Sequence, residues 1–246
     1  MVLNVENVSI RYTTDVYKRM RPEQKLKLRL KGDTSVGEFW AVKDVSFQLN
    51  EGDILGIVGK NGAGKSTLLK AIAGTIGVQS GKITRERRVS ALLELGTGFD
   101  PDLTVKENIY LRSALLGYSK SFLQSKYAEI LDFAELGEFE NFTYRNLSSG
   151  MRSKMAFAIV SVMEPEILVL DEVFSVGDAT FQEKSNNRMR ELMASDVSTI
   201  MVSHSMSNIQ QMCNRVIWME RGRIVMDGDT ATVCQAYSAA MKTKKK

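Results

Sequence analysis

The chain is 246 residues long, with a mass of 27.5 kDa and 43% hydrophobic residues, which suits one large globular domain or a core carrying an inserted subdomain. No uninterrupted apolar stretch approaches the ~18 residues of a membrane span, and the start Met1-Val2-Leu3-Asn4-Val5-Glu6 lacks the basic and apolar regions of a secretory leader. The net charge of +4 is modest, and Cys213 and Cys234 form neither a CxxC pair nor a disulfide framework, so both are expected as reduced thiols in a cytoplasmic protein.

Positive charge gathers in two places. Lys18, Arg19, Arg21, Lys25, Lys27, Arg29 and Lys31 stand between an opening strand and Val42-Lys43-Asp44-Val45-Ser46-Phe47. Within that interval Pro22-Glu23-Gln24 reads as a helix start while Leu26, Leu28 and Leu30 alternate like a strand, and a short amphipathic element is expected. The tail Lys242-Thr243-Lys244-Lys245-Lys246 is expected as a solvated end. Both clusters suit anionic headgroups or phosphates.

Ile54-Leu55-Gly56-Ile57-Val58 is an apolar run with the length of a buried strand. It feeds Gly59-Lys60-Asn61-Gly62-Ala63-Gly64-Lys65-Ser66, and Thr67-Leu68-Leu69-Lys70-Ala71-Ile72-Ala73 leaves as a helix. Strand, glycine-rich loop and helix in this order form a phosphate-binding loop in the context it requires. Its glycines turn the backbone so that successive N–H groups and the helix N-terminus face a polyanion. Lys65 reaches β and γ phosphates, and the Ser66 hydroxyl is placed for Mg²⁺.

Strands follow at Lys82 to Thr84 and Val89 to Leu92, and from Val105 to Met163 the pattern is almost all helical. Leu111, Leu115 and Leu116, then Leu123, Ile130, Leu131 and Ala134, supply the apolar stripes, with Gly117, Gly137 and Gly150 as breaks. Leu147-Ser148-Ser149-Gly150-Met151 opens the last of these helices, where a helix N-terminus makes an anion site. Glu166-Ile167-Leu168-Val169-Leu170-Asp171-Glu172 is a second continuous apolar strand, and it ends in two carboxylates. Beside a phosphate loop these put Asp171 next to Mg²⁺ and Glu172 next to an attacking water. His204, the only histidine, follows the strand Ser198 to Ser203, and ligands bind at the carboxyl ends of such strands. Met219 to Ile224 reads as a hairpin turn and Thr230 to Met241 as a final helix. Strands alternating with helices from Glu166 to Asp227 predict an α/β fold with a mostly parallel sheet covered on both faces.

Over essentially its whole length the chain resembles the nucleotide-binding subunit of an ABC transporter. The motifs that carry the resemblance are Gly59 to Ser66 (Walker A), Ile167 to Asp171 (Walker B), Leu147 to Met151 (signature), Ser175 to Asp178 (D-loop), Glu172 (catalytic carboxylate) and His204 (switch histidine). Leu92 to Phe99 and Asp171 to Lys184 resemble more narrowly the branch exporting lipid-linked O-antigen, capsular polysaccharide or teichoic acid. Ser149 departs from the usual signature glycine, Met151 from the usual glutamine, and Glu94 lies near the slot where most ABC proteins carry a glutamine.

The resemblance implies a RecA-like P-loop ATPase core, about residues 1–95 and 165–228, with an N-terminal antiparallel β subdomain. A helical signature subdomain would be inserted at about 104–164, and a C-terminal helix with its basic tail would occupy 229–246. It implies ATP and Mg²⁺, with Gly59 through Thr67 on the nucleotide, Ser66 and Asp171 on the metal, and Glu172 and His204 in catalysis. An aromatic ahead of Walker A, Tyr12 or Trp40, would stack on adenine. Ser148, Ser149 and Gly150 would cap the nucleotide of a second copy, with Asp178 in the D-loop and Glu94 in coupling. The partners so implied are a second copy and two copies of an integral-membrane permease that handles the lipid-linked polysaccharide, with no nucleic acid. The site of action would be the cytoplasmic face of the cell membrane. Because only a short segment follows Gly228, no carbohydrate-binding domain is expected after the ATPase. Two rivals from other classes are disfavoured. A soluble ABC ATPase of repair or translation would bring tandem cassettes or coiled coils, and a small-molecule kinase would leave the signature and His204 unexplained.

Overall fold

The computed structural model describes residues 1–13, 21–24, 38–92, 98–171, 177–195, 197–203 and 205–243. In chain order the elements begin with β1 (Leu3–Thr13), β2 (Glu38–Leu49), β3 (Ile54–Val58), α1 (Lys65–Ile72), β4 (Ser80–Arg85) and β5 (Val89–Leu92). A helical run follows: α2 (Val105–Leu115), α3 (Lys120–Ala134) and α4 (Ser149–Val162). The chain then alternates through β6 (Ile167–Asp171), α5 (Ala179–Ala194), β7 (Ser198–Val202) and α6 (Met206–Met212). It closes with β8 (Arg215–Glu220), β9 (Arg223–Asp229) and α7 (Thr230–Thr243).

Two sheets result. One is three-stranded and antiparallel, ordered β2-β1-β4; the other is six-stranded, ordered β5-β6-β7-β3-β8-β9 and parallel up to β8. The antiparallel pairing of β8 and β9 is the expected hairpin. Its turn places Arg221 and Gly222 at φ 50° and 78°, the left-handed pair that matches strand twist in a two-residue turn.

Apolar residues of both sheets close around α1. Val5, Val8 and Val42 of the small sheet pack in one cluster with Leu68, Leu69 and Ile72 of α1 and Ile57, Val169 and Ile200 of the large sheet. The central strands β3, β6 and β7 of the large sheet bury both faces, so they read as continuous apolar runs rather than alternations. On the opposite side Phe181, Met189, Ile209 and Val233 of α5, α6 and α7 pack with Leu168, Leu170 and Met201. The helical run has a third cluster, around Ile109, Leu123, Ile130, Met155 and Ile159.

Two helix boundaries differ from expectation. Gly150 is no break: it sits inside the first turn of α4, because the Ser148 hydroxyl accepts from the Met151 N–H at 3.2 Å and caps the helix two residues earlier. Likewise α3 ends at Glu135, which takes the left-handed conformation at φ 59°, and Gly137 falls in a short 3₁₀ turn beyond it. Of the basic segment only Arg21 is described, on the N-terminal side of the helical turn Pro22–Gln24, where its N–H bonds the Gln24 side chain at 3.0 Å. The other lysines and arginines of 18–31, and Lys244 to Lys246, lie outside the described residues.

Candidate functional site

The phosphate loop encloses a concavity. A pocket of about 260 Å³ is lined by Asn61, Gly62, Ala63, Gly64, Lys65, Ser66 and Thr67, with more polar than apolar lining. Gly64 stands at the N-cap of α1 in the left-handed region, φ 102°, and no side chain caps the helix. The first-turn amides are therefore left to point into the pocket, as an anion requires. Lys65 is buried, and its ammonium donates to the carbonyls of Gly59 at 2.8 Å and Lys60 at 3.3 Å, which holds it across the loop. Ser66 is exposed at the start of the helix.

Backbone from distant parts of the chain supports the loop. A Cβ on Gly64 would collide with the Ala41 carbonyl of β2, and one on Gly222 would lie 2.8 Å from the same oxygen. The Gly222 N–H donates to the Ala63 carbonyl at 2.9 Å, and the Lys43 N–H donates to the Gly222 carbonyl at 2.8 Å. The hairpin turn thus wedges β2 against the loop. Neither Ala41 nor Gly222 was singled out from sequence. The only available signal was the turn glycine itself, and it does not say what the turn touches.

Sheet register brings Asp171 level with the end of the strand that enters the loop. It pairs with Val202 of β7, and Val202 pairs with Ile57 of β3, so the carboxyl ends of three adjacent strands are level. With strands ~4.8 Å apart, Asp171 stands about 10 Å across the sheet from the strand that enters the loop. The strand order, with β7 between, decides this spacing.

Tyr12 and Trp40 are separated by the same kind of register. Trp40 pairs with Arg11 and Tyr12 with Phe39, so the two candidate aromatics occupy opposite faces of the small sheet. Both are exposed, at 44% for Tyr12 and 39% for Trp40, rather than buried between strands. The Arg11 guanidinium lies 5.5 Å from the Trp40 ring and pairs with Glu38 at 2.7 Å. Trp40 is also the neighbour of Ala41, whose carbonyl abuts Gly64.

Ser148, Ser149 and Gly150 are absent from the lining of the pocket. They lie at the N-terminus of α4, which Leu147 anchors in the helical cluster and Arg152 braces by donating to the carbonyls of Tyr144 at 3.2 Å and Arg145 at 2.8 Å. Asp178 caps α5, its carboxylate accepting from the Phe181 N–H at 3.0 Å. The same carboxylate meets Lys154 at 2.8 Å, and Lys154 then Phe181 hold it down at about 2. Glu172, His204 and Glu94 lie outside the described residues, as does Ser175.

A parallel sheet whose phosphate loop opens onto α1, whose acidic strand ends level with that loop and whose capped helix α4 stands on a helical insertion defines a P-loop ATPase cassette. The ABC transporter family model matches residues 42–175. The chain belongs to the ABC transporter family. The O-antigen export system ATP-binding protein RfbB of Klebsiella pneumoniae is 43% identical over 204 residues, 83% of each chain. The corresponding RfbE of Yersinia enterocolitica is 46% identical over 184 residues, 75% of this chain and 77% of that one. The teichoic acids export ATP-binding protein TagH of Staphylococcus epidermidis is 36% identical over 244 residues, 99% of this chain and 90% of that one.

Solved structures share the fold. An ATP-binding subunit of an ABC transporter superposes with a TM-score of 0.74 at 20% identity, covering 97% of this chain and 94% of that one. A dimeric cassette in a post-hydrolysis state with ADP and Pi superposes at 0.68 with 21% identity, covering 93% of this chain and 98% of that one. Among the described residues no helix is long and apolar enough to cross a membrane.

Proposed function

We propose that this chain is the ATP-hydrolysing subunit of an exporter of lipid-linked polysaccharide, with O-antigen favoured over teichoic acid or capsular polymer. In this reading it works as an ATP-dependent homodimer beneath two copies of a membrane permease, on the cytoplasmic face. The names and coverage of RfbB, RfbE and TagH support the cargo class. The observation that carries the mechanism is that the pocket is lined by Asn61 to Thr67 while Ser148 to Gly150 stand on a different helix.

The loop amides and Lys65 hold the phosphates of ATP. Ser66 and Asp171 offer a hydroxyl and a carboxylate, hard oxygen donors of the kind Mg²⁺ takes alongside phosphate oxygens. When bound, Mg²⁺ neutralises charge developing on the β and γ phosphates. Ser148 and Gly150 of one copy cap the nucleotide of the other through the α4 N-terminus, completing a site that one copy lacks. Glu172 orients or deprotonates water, and His204 contacts the γ phosphate. Trp40 is the better adenine platform, being next to the strand residue that abuts Gly64. Residues 104–164 serve as the subdomain that carries the signature to the partner, and Glu94 acts in coupling to the permease.

Glu172→Gln, Lys65→Ala and Ser148→Arg test the assignment together. Glu172→Gln is expected to lose turnover and accumulate as an ATP-bound dimer, because the amide cannot accept a proton. Lys65→Ala should lose nucleotide affinity, whereas Ser148→Arg should bind ATP as a monomer but fail to dimerise. Mixed dimers of the last two should regain one of two sites. Loss of ATP binding in Ser148→Arg monomers would overturn capping in trans. For the cargo, mass spectrometry of glycolipid co-purified with the permease complex is decisive; a complex carrying no lipid-linked polymer contradicts it.

A further inference from the structure

Three elements meet at one ammonium group. Lys154, in the second turn of α4, contacts Asp178 at 2.8 Å and Glu135 at 2.6 Å, the first being the N-cap of α5 and the second the C-cap of α3. Its side chain is 13% exposed and its ammonium lies 5.0 Å from the Phe181 ring. A largely covered stem and two carboxylates hold the charge between the helix ends. Asp178 uses one oxygen for the Phe181 N–H and the other for Lys154, so capping and tethering coexist.

The surroundings strengthen the joint. Phe133 of α3, Phe157 of α4 and Phe181 of α5 pack mutually at 5.8 to 6.0 Å between centroids. Lys184 of α5 donates to the Phe133 carbonyl at 3.1 Å, near the C-terminus of α3, and Arg188 donates twice to the Ser161 carbonyl near the end of α4, at 3.2 and 3.0 Å. Cations at helix C-termini oppose the negative end of the macrodipole. Lys184 and Arg188 tie the bodies of the helices, and among the described residues Lys154 is the side chain that ties the N-terminal half of α4, which presents Ser148 to Gly150, to Asp178.

We propose that Lys154 is a positioning residue that makes the signature helix and Asp178 move as one body, so that both enter the partner copy's nucleotide site in fixed relative geometry. This rests on the reading of Ser148 to Gly150 as acting in trans. The consequence is a defect in turnover and dimer closure without a defect in ATP binding by the monomer.

Lys154→Met keeps the apolar stem over Phe181 and removes the charge, while Asp178→Asn keeps a competent cap and removes the partner. Each is expected to lower kcat about tenfold and weaken ATP-driven dimerisation in the Glu172→Gln background, with monomer affinity for a fluorescent ATP analogue within about twofold. The double variant should be no worse than either single one, and Lys154→Arg should restore most of the rate. Glu135→Gln, which spares the Asp178 contact, should stay within about twofold of wild type. A wild-type kcat in Lys154→Met, or additive losses in the double variant, overturns the proposal. Should Lys154→Met fail to fold, Asp178→Asn and Lys154→Arg carry the same test. If Ser148→Arg still dimerises with ATP, the trans reading fails and this inference with it. If Ser148→Arg blocks dimerisation while Lys154→Met turns over normally, only the role of Lys154 fails.

Discussion

Gly222 and Ala63 are joined by a hydrogen bond of 2.9 Å that stitches the β8–β9 turn to the middle of the phosphate loop. Gly222 sits at φ 78°, and a Cβ there would approach the Ala41 carbonyl to 2.8 Å. Gly222→Ala is therefore expected to cost about 1–3 kcal/mol of stability and to weaken ATP binding, because relief of the clash pushes the turn off the loop. Thermal denaturation and nucleotide titration check this; unchanged values in both would show that the turn does not support the loop.

Trp40 and Tyr12 face opposite sides of the small sheet, so one adenine cannot stack on both. Trp40→Ala should weaken ATP binding about tenfold, in line with loss of one base–aromatic stack, and Tyr12→Ala should leave it near wild type. The reverse order would move the adenine to the other face. Equilibrium binding of ATP to each purified variant reads the difference.

Asp178 is held at about 2 by Lys154 and then by the Phe181 N–H, below the ~3.9 of a free carboxyl. A folded-state value lower than the unfolded one stabilises the fold above the unfolded value, and that contribution disappears as pH falls through about 4 towards 2. No change traceable to Asp178 is expected between about pH 5 and 9. Lys154→Met should raise the Asp178 titration towards the ordinary range, measurable by carboxyl-carbon NMR. A midpoint that does not move would mean that the ion pair is absent in solution.

Cys213 is buried, with its sulfur where a Cβ on Gly56 would stand 2.9 Å away, and burial followed by the neighbouring Cys234 raises its thiol to about 12. At neutral pH it stays protonated and enclosed. Ellman's reagent should leave it unreacted in the native protein and label it on unfolding in guanidinium. Rapid native labelling would contradict the packing of α6 on β3.

Thr104 and Glu107 form a reciprocal cap on α2: the Thr104 hydroxyl accepts from the Glu107 N–H at 3.2 Å, and the Glu107 carboxylate accepts from the Thr104 N–H at 2.8 Å. Thr104→Ala should cost about 1 kcal/mol in chemical denaturation. A loss below a few tenths would show that α2 is held by its packing alone.

Much of this molecule is legible in the order of its residues, because some signals are local. Gly59 to Ser66 between an apolar strand and a helix specify a phosphate loop, since backbone dihedrals and side-chain donors within eight residues create the anion site. The apolar runs Ile54–Val58 and Ile167–Asp171 announce strands buried on both faces, and the hairpin at Arg221 and Gly222 follows from turn chemistry. Other features have no local signal. That β7 lies between β6 and β3, that Ala41 and Gly222 press on the loop, that Tyr12 and Trp40 part to opposite faces, and that Lys154 meets Asp178 all depend on strand order, register and helix packing. The ends of α4 and α3 are local as well, since the Ser148 hydroxyl caps the Met151 N–H ahead of Gly150 and Glu135 takes the left-handed conformation ahead of Gly137, but the turn residues alone suggested the later glycines. The sequence alone determined which chemical groups are present and which local backbone shapes hold them. Only the tertiary structure decided which of those groups share a neighbourhood, because pairing and packing energies are summed over residues far apart in the chain, and no short window contains both partners.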